Sequence, residues 1–128
     1  MTDWTADELD RVGAAEELQL ASRRADGSLR PYVTMWVARV GDDLFVRSAY
    51  GPEAGWYRRA VASGTGRVRA GGVERDVSFA GASAEVQRDL DAAYRAKYAH
   101  HAERIVATVV GERRYDVTIR LVPEADAG

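Results

Sequence analysis

The chain has 128 residues, 46% of them hydrophobic and 30% charged, the balance of one soluble globular domain. Its formal net charge of −2 excludes nucleic-acid or membrane binding through bulk charge. It contains no cysteine, which excludes disulfides, zinc–thiolate centres and cysteine nucleophiles, and points to a reducing, cytoplasmic setting.

Met1 to Asp10 is acidic and lacks the apolar stretch of about 7–15 residues that a signal peptide needs. No run approaches the roughly 20 apolar residues of a membrane helix. The basic residues are arginines except for Lys97.

Trp4-Thr5-Ala6-Asp7-Glu8-Leu9 predicts a helix start, with Thr5 and Glu8 as a capping box and Trp4 against Leu9 as a hydrophobic staple. That helix is expected over 5–15. Leu18 to Arg24 alternates and predicts a strand, followed by an Asp26-Gly27 turn. Leu29 to Val40 predicts a second, long strand, rich in Tyr32, Val33, Thr34, Trp36 and Val37. It is apolar on both faces, so a helix or a second subunit is expected to cover its outer side. Gly41-Asp42-Asp43 turns the chain into a third strand, Leu44 to Ser48.

The loop Tyr50 to Gly55 leads to a short helix over 56–62, which Gly64 closes. Arg67 to Ala70 and Val73 to Phe79 predict a hairpin around Gly71-Gly72. Val86, Leu90, Ala93, Tyr94 and Tyr98 share a helical face, predicting helix over 83–110 with a break near His100-His101. Tyr115 to Val122 predicts the last strand, and 123–128 a frayed tail. The whole chain, 1–128, reads as a single α+β, mainly antiparallel domain. About six strands with flanking helices favour a closed or nearly closed barrel, since closure removes exposed edges.

Candidate chemistry gathers between Arg23 and Ala70. The N-terminus of the short helix, at Gly55, offers free N–H groups to an anion. Arg47, Arg58 and Arg30 can add charge-assisted bonds, Trp56 and Tyr57 can stack on a planar ring, and Thr34 can donate a hydrogen bond. The bland readings stand beside these. Trp56 can simply pack on the barrel. Arg58 and Arg59 are adjacent, so at least one is expected in solvent. Arg47 can pair a carboxylate such as Glu74 or Asp76. Glu53, Asp76 and Tyr57 are possible acids or bases, but nothing pairs them. Arg67 and Arg69 share a strand face, against which the acidic balance argues for no nucleic-acid partner. His100-His101, read on a helix, point about 100° apart and cannot chelate together, so no metal is expected.

Leu44-Phe45-Val46-Arg47-Ser48, Gly55-Trp56-Tyr57-Arg58 and Gly66-Arg67-Val68-Arg69-Ala70-Gly71-Gly72 resemble the bacterial domain-of-unknown-function family 2255. The resemblance extends from Glu8-Leu9 through Ala93 to Tyr98 and on to Leu121-Val122-Pro123. That family resembles the split-barrel flavin and deazaflavin proteins, including deazaflavin-dependent nitroreductases. The resemblance implies a split β-barrel that forms a homodimer, with deazaflavin or FMN near the subunit interface. It directs attention to Arg30, Arg47, Ser48 and Gly55 to Arg58. Two functions follow as expectations: a flavin-like oxidoreductase or cofactor carrier, or a cofactor-free small-ligand binder or enzyme using the same pocket for a small anionic or planar ligand.

Overall fold

A computed structural model describes residues 3–124. The first helix, α1 (Ala6–Ala14), opens as its sequence dictates. The Glu8 N–H donates to Thr5 Oγ1 at 3.1 Å, and the Thr5 N–H donates to Glu8 Oε1 at 2.9 Å. Trp4 and Leu9 enter the same core, and the Trp4 indole N–H donates to the Leu121 carbonyl at 2.9 Å.

Seven antiparallel strands follow: β1 (Leu18–Ser22), β2 (Val33–Met35), β3 (Ala38–Val40), β4 (Asp43–Arg47), β5 (Thr65–Ala70), β6 (Val73–Gly81) and β7 (Thr118–Pro123). Their order in the sheet is β2-β1-β5-β6-β7-β4-β3. Strands β2 and β3 form the two edges, yet only Trp36 and Val37 separate them in sequence. The sheet therefore curls until its edges meet, giving the split β-barrel.

This corrects the expected continuous strand over 29–40. The Val37 peptide groups pair with side chains instead of a strand. Its N–H donates to the Tyr98 hydroxyl at 3.2 Å, and its carbonyl accepts from Lys97 Nζ at 2.7 Å. With those groups engaged the ladder stops, and the chain crosses from one edge to the other.

Two cores result from the alternation of β4. Leu44 and Val46 point into the barrel with Leu18, Leu20, Val68, Ile119 and Leu121. Phe45 points outward onto Leu90, Tyr94, Tyr98 and Val106. The helix expected to cover the outer face is α3 (Gln87–Lys97), packed against β3. The short helix is α2 (Gly55–Ser63). The helical stretch expected over 83–110 is broken: α3 ends at Lys97, and α4 (Glu103–Val106) follows after a turn through His100-His101.

The final strand starts later than expected, because Glu112–Val117 is a 3-10 turn. Residues 125–128 of the expected tail lie outside the described residues. Pro123 belongs to β7, and the Glu124 N–H donates to the Asp76 carbonyl at 2.9 Å. Among the described residues, no helix is long and apolar enough to cross a membrane.

Candidate functional site

Two neighbouring hollows, together the groove, are lined by the segment entering β2 and by the start of helix α2, one of them basic and the other apolar. The basic part is a cleft of about 770 Å³ lined by Arg23, Arg24, Arg30, Gly55, Arg58, Arg59, Ser63 and Thr65. Two of its arginines hold the wall together. Arg23 donates to the Gly27 carbonyl and to Asp76 Oδ1, and Arg24 donates to the Leu29 carbonyl at 3.0 Å.

The side chains of Arg30, Arg58 and Arg59 make no hydrogen bond or ion pair among the described residues. Arg58 and Arg59 are both exposed, in line with the expectation that at least one meets solvent, and both also line this cleft. Arg59 folds back along the helix, so that a Cβ on Gly55 would lie 2.9 Å from its Nη1. Its guanidinium thus joins the start of α2. Three cations without counter-charges, beside the free N–H groups of a helix start, repel one another and favour an anion between them.

The apolar part is a cavity of about 300 Å³. Val33, Met35, Trp36, Ala49, Tyr50, Trp56, Ile105 and Val109 line it, with Glu17, Thr34, Arg47 and Thr108 as its polar members. The two parts share no lining residue but adjoin along the chain. Gly55 and Trp56 are consecutive, and Arg30 lies about 10 Å of extended chain before Val33. Tyr50 is 85% exposed and Ile105 41%, so the cavity mouth carries apolar surface.

Of the remaining site residues read from sequence, Arg47 contributes to the cavity wall but its guanidinium is engaged within the protein, and Ser48 and Tyr57 lie outside both hollows. Arg47 is buried, and its five N–H groups all have partners inside the protein. Nε donates to Thr118 Oγ1, Nη1 to Asp91 and the Val109 carbonyl, and Nη2 to the Gln87 carbonyl and Oε1. Its carboxylate partner is therefore Asp91. Asp76 is taken by Arg67 and Arg23, and Glu74 by Arg67. Burial raises the Asp91 carboxyl, but hydrogen bonds from Arg47, Tyr115 and the Gly111 N–H outweigh it and leave Asp91 below the usual range.

Ser48 is buried and donates to the Gly51 carbonyl at 2.7 Å, closing the loop before α2. Tyr57 meets the Trp56 ring edge to face, 5.9 Å between centroids, but lies outside the cavity. Its hydroxyl donates to the Asp116 carbonyl, and it lines a separate hollow of about 400 Å³ with Phe79 and Tyr115. Glu53, in the 3-10 turn Gly51–Glu53, is exposed and lines neither part of the groove. Sequence reading missed Met35, Trp36, Tyr50, Ile105 and Val109 as cavity walls. The apolar character of Val33 to Val37 on both faces was the one signal for the first two.

Lys97, the sole lysine, lies behind this cavity. Burial pulls its pKa down to about 8, with Glu16 acting in the opposite direction. The unfolded chain then binds the extra proton between about pH 8 and the ordinary lysine value of 10.5, so this group's contribution makes stability rise with pH across that window. A single lysine gives a single ¹³Cε resonance, and its titration should centre near pH 8. A midpoint above 10 would contradict the burial of this amine.

The sequence profile of a family described as an uncharacterized protein conserved in bacteria, DUF2255, matches residues 8–121. The chain belongs to the DUF2255 family. No curated protein matches it in sequence.

Solved structures share the fold at low identity. A conserved hypothetical protein of Mycobacterium tuberculosis superposes with a TM-score of 0.68 at 13% identity, covering 97% of this chain and 83% of that one. An F420 reductase gives 0.57 at 16% identity, covering 91% and 93%. A FAD-binding protein of Mesorhizobium loti gives 0.54 at 18% identity, covering 95% and 91%. The family member described here is thus a split β-barrel in architecture, with its groove at the barrel's seam.

Proposed function

We propose that this DUF2255 protein binds a flavin-type cofactor, a deazaflavin or FMN, as an oxidoreductase or cofactor carrier. The observation that carries the reading is an apolar cavity whose wall residue Trp56 directly follows Gly55 of a cleft that holds three guanidinium groups unpaired among the described residues. A ligand with a planar ring and a phosphate matches that division. Trp36, Met35 and Trp56 would hold the ring, and Arg30, Arg58, Arg59 and the start of α2 would hold the phosphate. The cavity volume of about 300 Å³ lies at the small end for small-molecule pockets. A second copy of the chain covering Tyr50 and Ile105 would enlarge the enclosure, which fits the expected homodimer. That the named F420 reductase and FAD-binding protein share the fold supports the reading.

When bound, such a group would supply hydride chemistry at its ring. The chain's own residues bind, orient and exclude water. Arg47 acts at one remove, holding β4 to α3 behind the cavity.

Titration of the protein with deazaflavin and with FMN, followed by the ring's absorbance, tests this. One-to-one saturation is expected with at least one of them. Arg58→Ala and Arg30→Ala should each weaken binding by about 10–100-fold, the worth of a hydrogen bond to a charged group. Riboflavin, which lacks the phosphate, should bind more weakly than FMN and be indifferent to both substitutions. No saturation with either cofactor, or equal binding by the Arg30→Ala/Arg58→Ala double variant, would overturn the assignment and leave the cofactor-free binder.

A further inference from the structure

The groove makes no use of a cluster formed where the loop after α1 meets the turn after α3. Because α3 ends at Lys97, His100 and His101 lie on a turn rather than on a helix, and their rings approach to 4.3 Å between centroids. Both rings face Glu16. His100 Nε2 lies 3.1 Å, and His101 Nε2 2.7 Å, from the same oxygen, Glu16 Oε1. One ligand atom from each of the three residues lies within 4.8 Å of the others.

A tetrahedral ion with bonds of about 2.0–2.1 Å needs ligand atoms about 3.3 Å apart. The two nitrogen–oxygen spacings are within about 0.6 Å of that figure. For both rings to hydrogen-bond the carboxylate, each Nε2 must carry a proton aimed at one point. A cation seated between the two nitrogens and Oε1 would replace both protons once these half-exposed side chains part by about 0.2–0.6 Å toward the tetrahedral spacing.

The arrangement is held from behind by buried aromatic groups. Tyr98, fully buried, donates its hydroxyl to the Glu16 carbonyl at 2.8 Å. Its own carbonyl accepts from the His101 N–H at 3.0 Å. One tyrosine therefore ties the carboxylate's segment to the histidines' turn. Trp36 stacks on Tyr98 at 3.9 Å, and the His101 ring packs on Trp36 at 4.8 Å. Such support fixes ligand orientation before any ion arrives.

We propose that Glu16, His100 and His101 form a binding site for a divalent transition-metal ion of the zinc or iron(II) class. Two imidazoles and one carboxylate suit these ions, and the lack of thiolates disfavours copper(I). Three protein ligands leave coordination open to water, and the half-exposed cluster admits the ion directly from solvent. The Lys97 ammonium, which interacts with Glu16, opposes a cation here, while the Glu16 carboxylate itself favours one. The site shares Trp36 with the apolar cavity, so metal binding should be sensed at the cavity wall.

The test uses the full chain, free of any affinity tag, with Co²⁺ as the probe and Zn²⁺ as competitor. One equivalent of Co²⁺ should bind saturably, give visible d–d absorption and quench tryptophan emission, and Zn²⁺ should displace it. Trp36→Phe should keep the absorption and remove most of the quench. Glu16→Gln and His101→Gln should each weaken Co²⁺ binding by about tenfold or more, in line with the loss seen when metal-site residues are changed. Their far-UV circular dichroism and metal-free Tm should stay unchanged, since the side chains are substantially exposed. Absence of a saturable band at millimolar Co²⁺ would overturn the proposal. So would equal affinity in His100→Gln/His101→Gln, which would reveal adventitious binding elsewhere.

Discussion

Replacing Arg47 with methionine should cost the protein about 3–5 kcal/mol of stability, the usual loss when one member of a buried ion pair is removed. The substitution keeps much of the side chain's apolar bulk, so the loss reports the guanidinium. It strands several groups at once: the Asp91 carboxylate, the Gln87 amide oxygen and carbonyl, and the Val109 carbonyl. It also removes the cation lying 5.7 Å from the Tyr94 ring and 5.3 Å from the Tyr115 ring. A domain of this size has roughly 5–15 kcal/mol in total, so the variant sits near the edge of folding.

Urea unfolding should show an unchanged slope and a midpoint lower by about 2 M, given slopes of about 1–3 kcal/mol/M. Adding Asp91→Leu to Arg47→Met should recover part of the loss, because an apolar pair leaves no buried charge unpaired. The pH dependence has a definite sign. The folded state holds Asp91 below its usual value, so its contribution is present above the unfolded carboxyl's pKa and is lost as pH falls through the native one. Acid unfolding of the wild type should lose this contribution, and Arg47→Met should lack it. If Arg47→Met instead kept its midpoint and lost only cofactor affinity, Arg47 would belong to the ligand and not to the frame.

Arg47 also shows where sequence reading ends. A cation after an apolar strand, just before a glycine-bearing loop, has the same local signature whether it meets a phosphate or a protein carboxylate. The distinguishing partners, Gln87 and Asp91, lie 40 and 44 residues away. Helix α1 was legible because its determinants are local: Thr5, Glu8, Trp4 and Leu9 fall within six residues. The hairpin of β5 and β6 was legible for the same reason, through Gly71-Gly72.

The barrel was legible from its strands and turns, but the place where the chain crosses between its edges was not. Trp36-Val37 looks like uninterrupted strand until Tyr98 and Lys97 arrive from about 60 residues downstream to satisfy the Val37 peptide groups. The histidine pair was misplaced by the same kind of error. Helical periodicity extends through Tyr98, but the helix itself stops at Lys97, and two residues that would diverge on a helix converge on a turn. On the site, the reading grouped Gly55, Trp56 and Arg58 at the start of α2, where Gly55 and Arg58 line the basic cleft and Trp56 the apolar cavity. The inward fold of Arg59 and the cavity wall opposite Trp56 required the tertiary structure.

Gly66→Ala should be among the most damaging single-methyl additions to this protein, costing about 3 kcal/mol, the upper end for overpacking. Gly66 pairs with Ser22 in the ladder between β5 and β1. A Cβ there would lie 2.1 Å from the Ala21 carbonyl oxygen and 2.8 Å from Phe79 Cζ. The phenyl ring can rotate away, but the carbonyl belongs to the backbone of β1, so relief requires the two strands to separate. That separation reaches the groove. The Arg23 N–H donates to the Thr65 carbonyl, and the Arg30 N–H donates to the Ser22 carbonyl. Displacing β1 therefore shifts the turn that carries three of the cleft's arginines, Arg23, Arg24 and Arg30. Molecules that do fold should bind the phosphate-bearing cofactor more weakly than wild type. Gly81→Ala is the matched control, since no atom lies within 4 Å of its added Cβ. Its unfolding midpoint should stay within about 0.5 kcal/mol of wild type, as for ordinary surface changes. Equal midpoints for the two variants in parallel urea titrations would mean that β1 and β5 are not so tightly apposed, and the placement of Arg30 against α2 would fall with that seam.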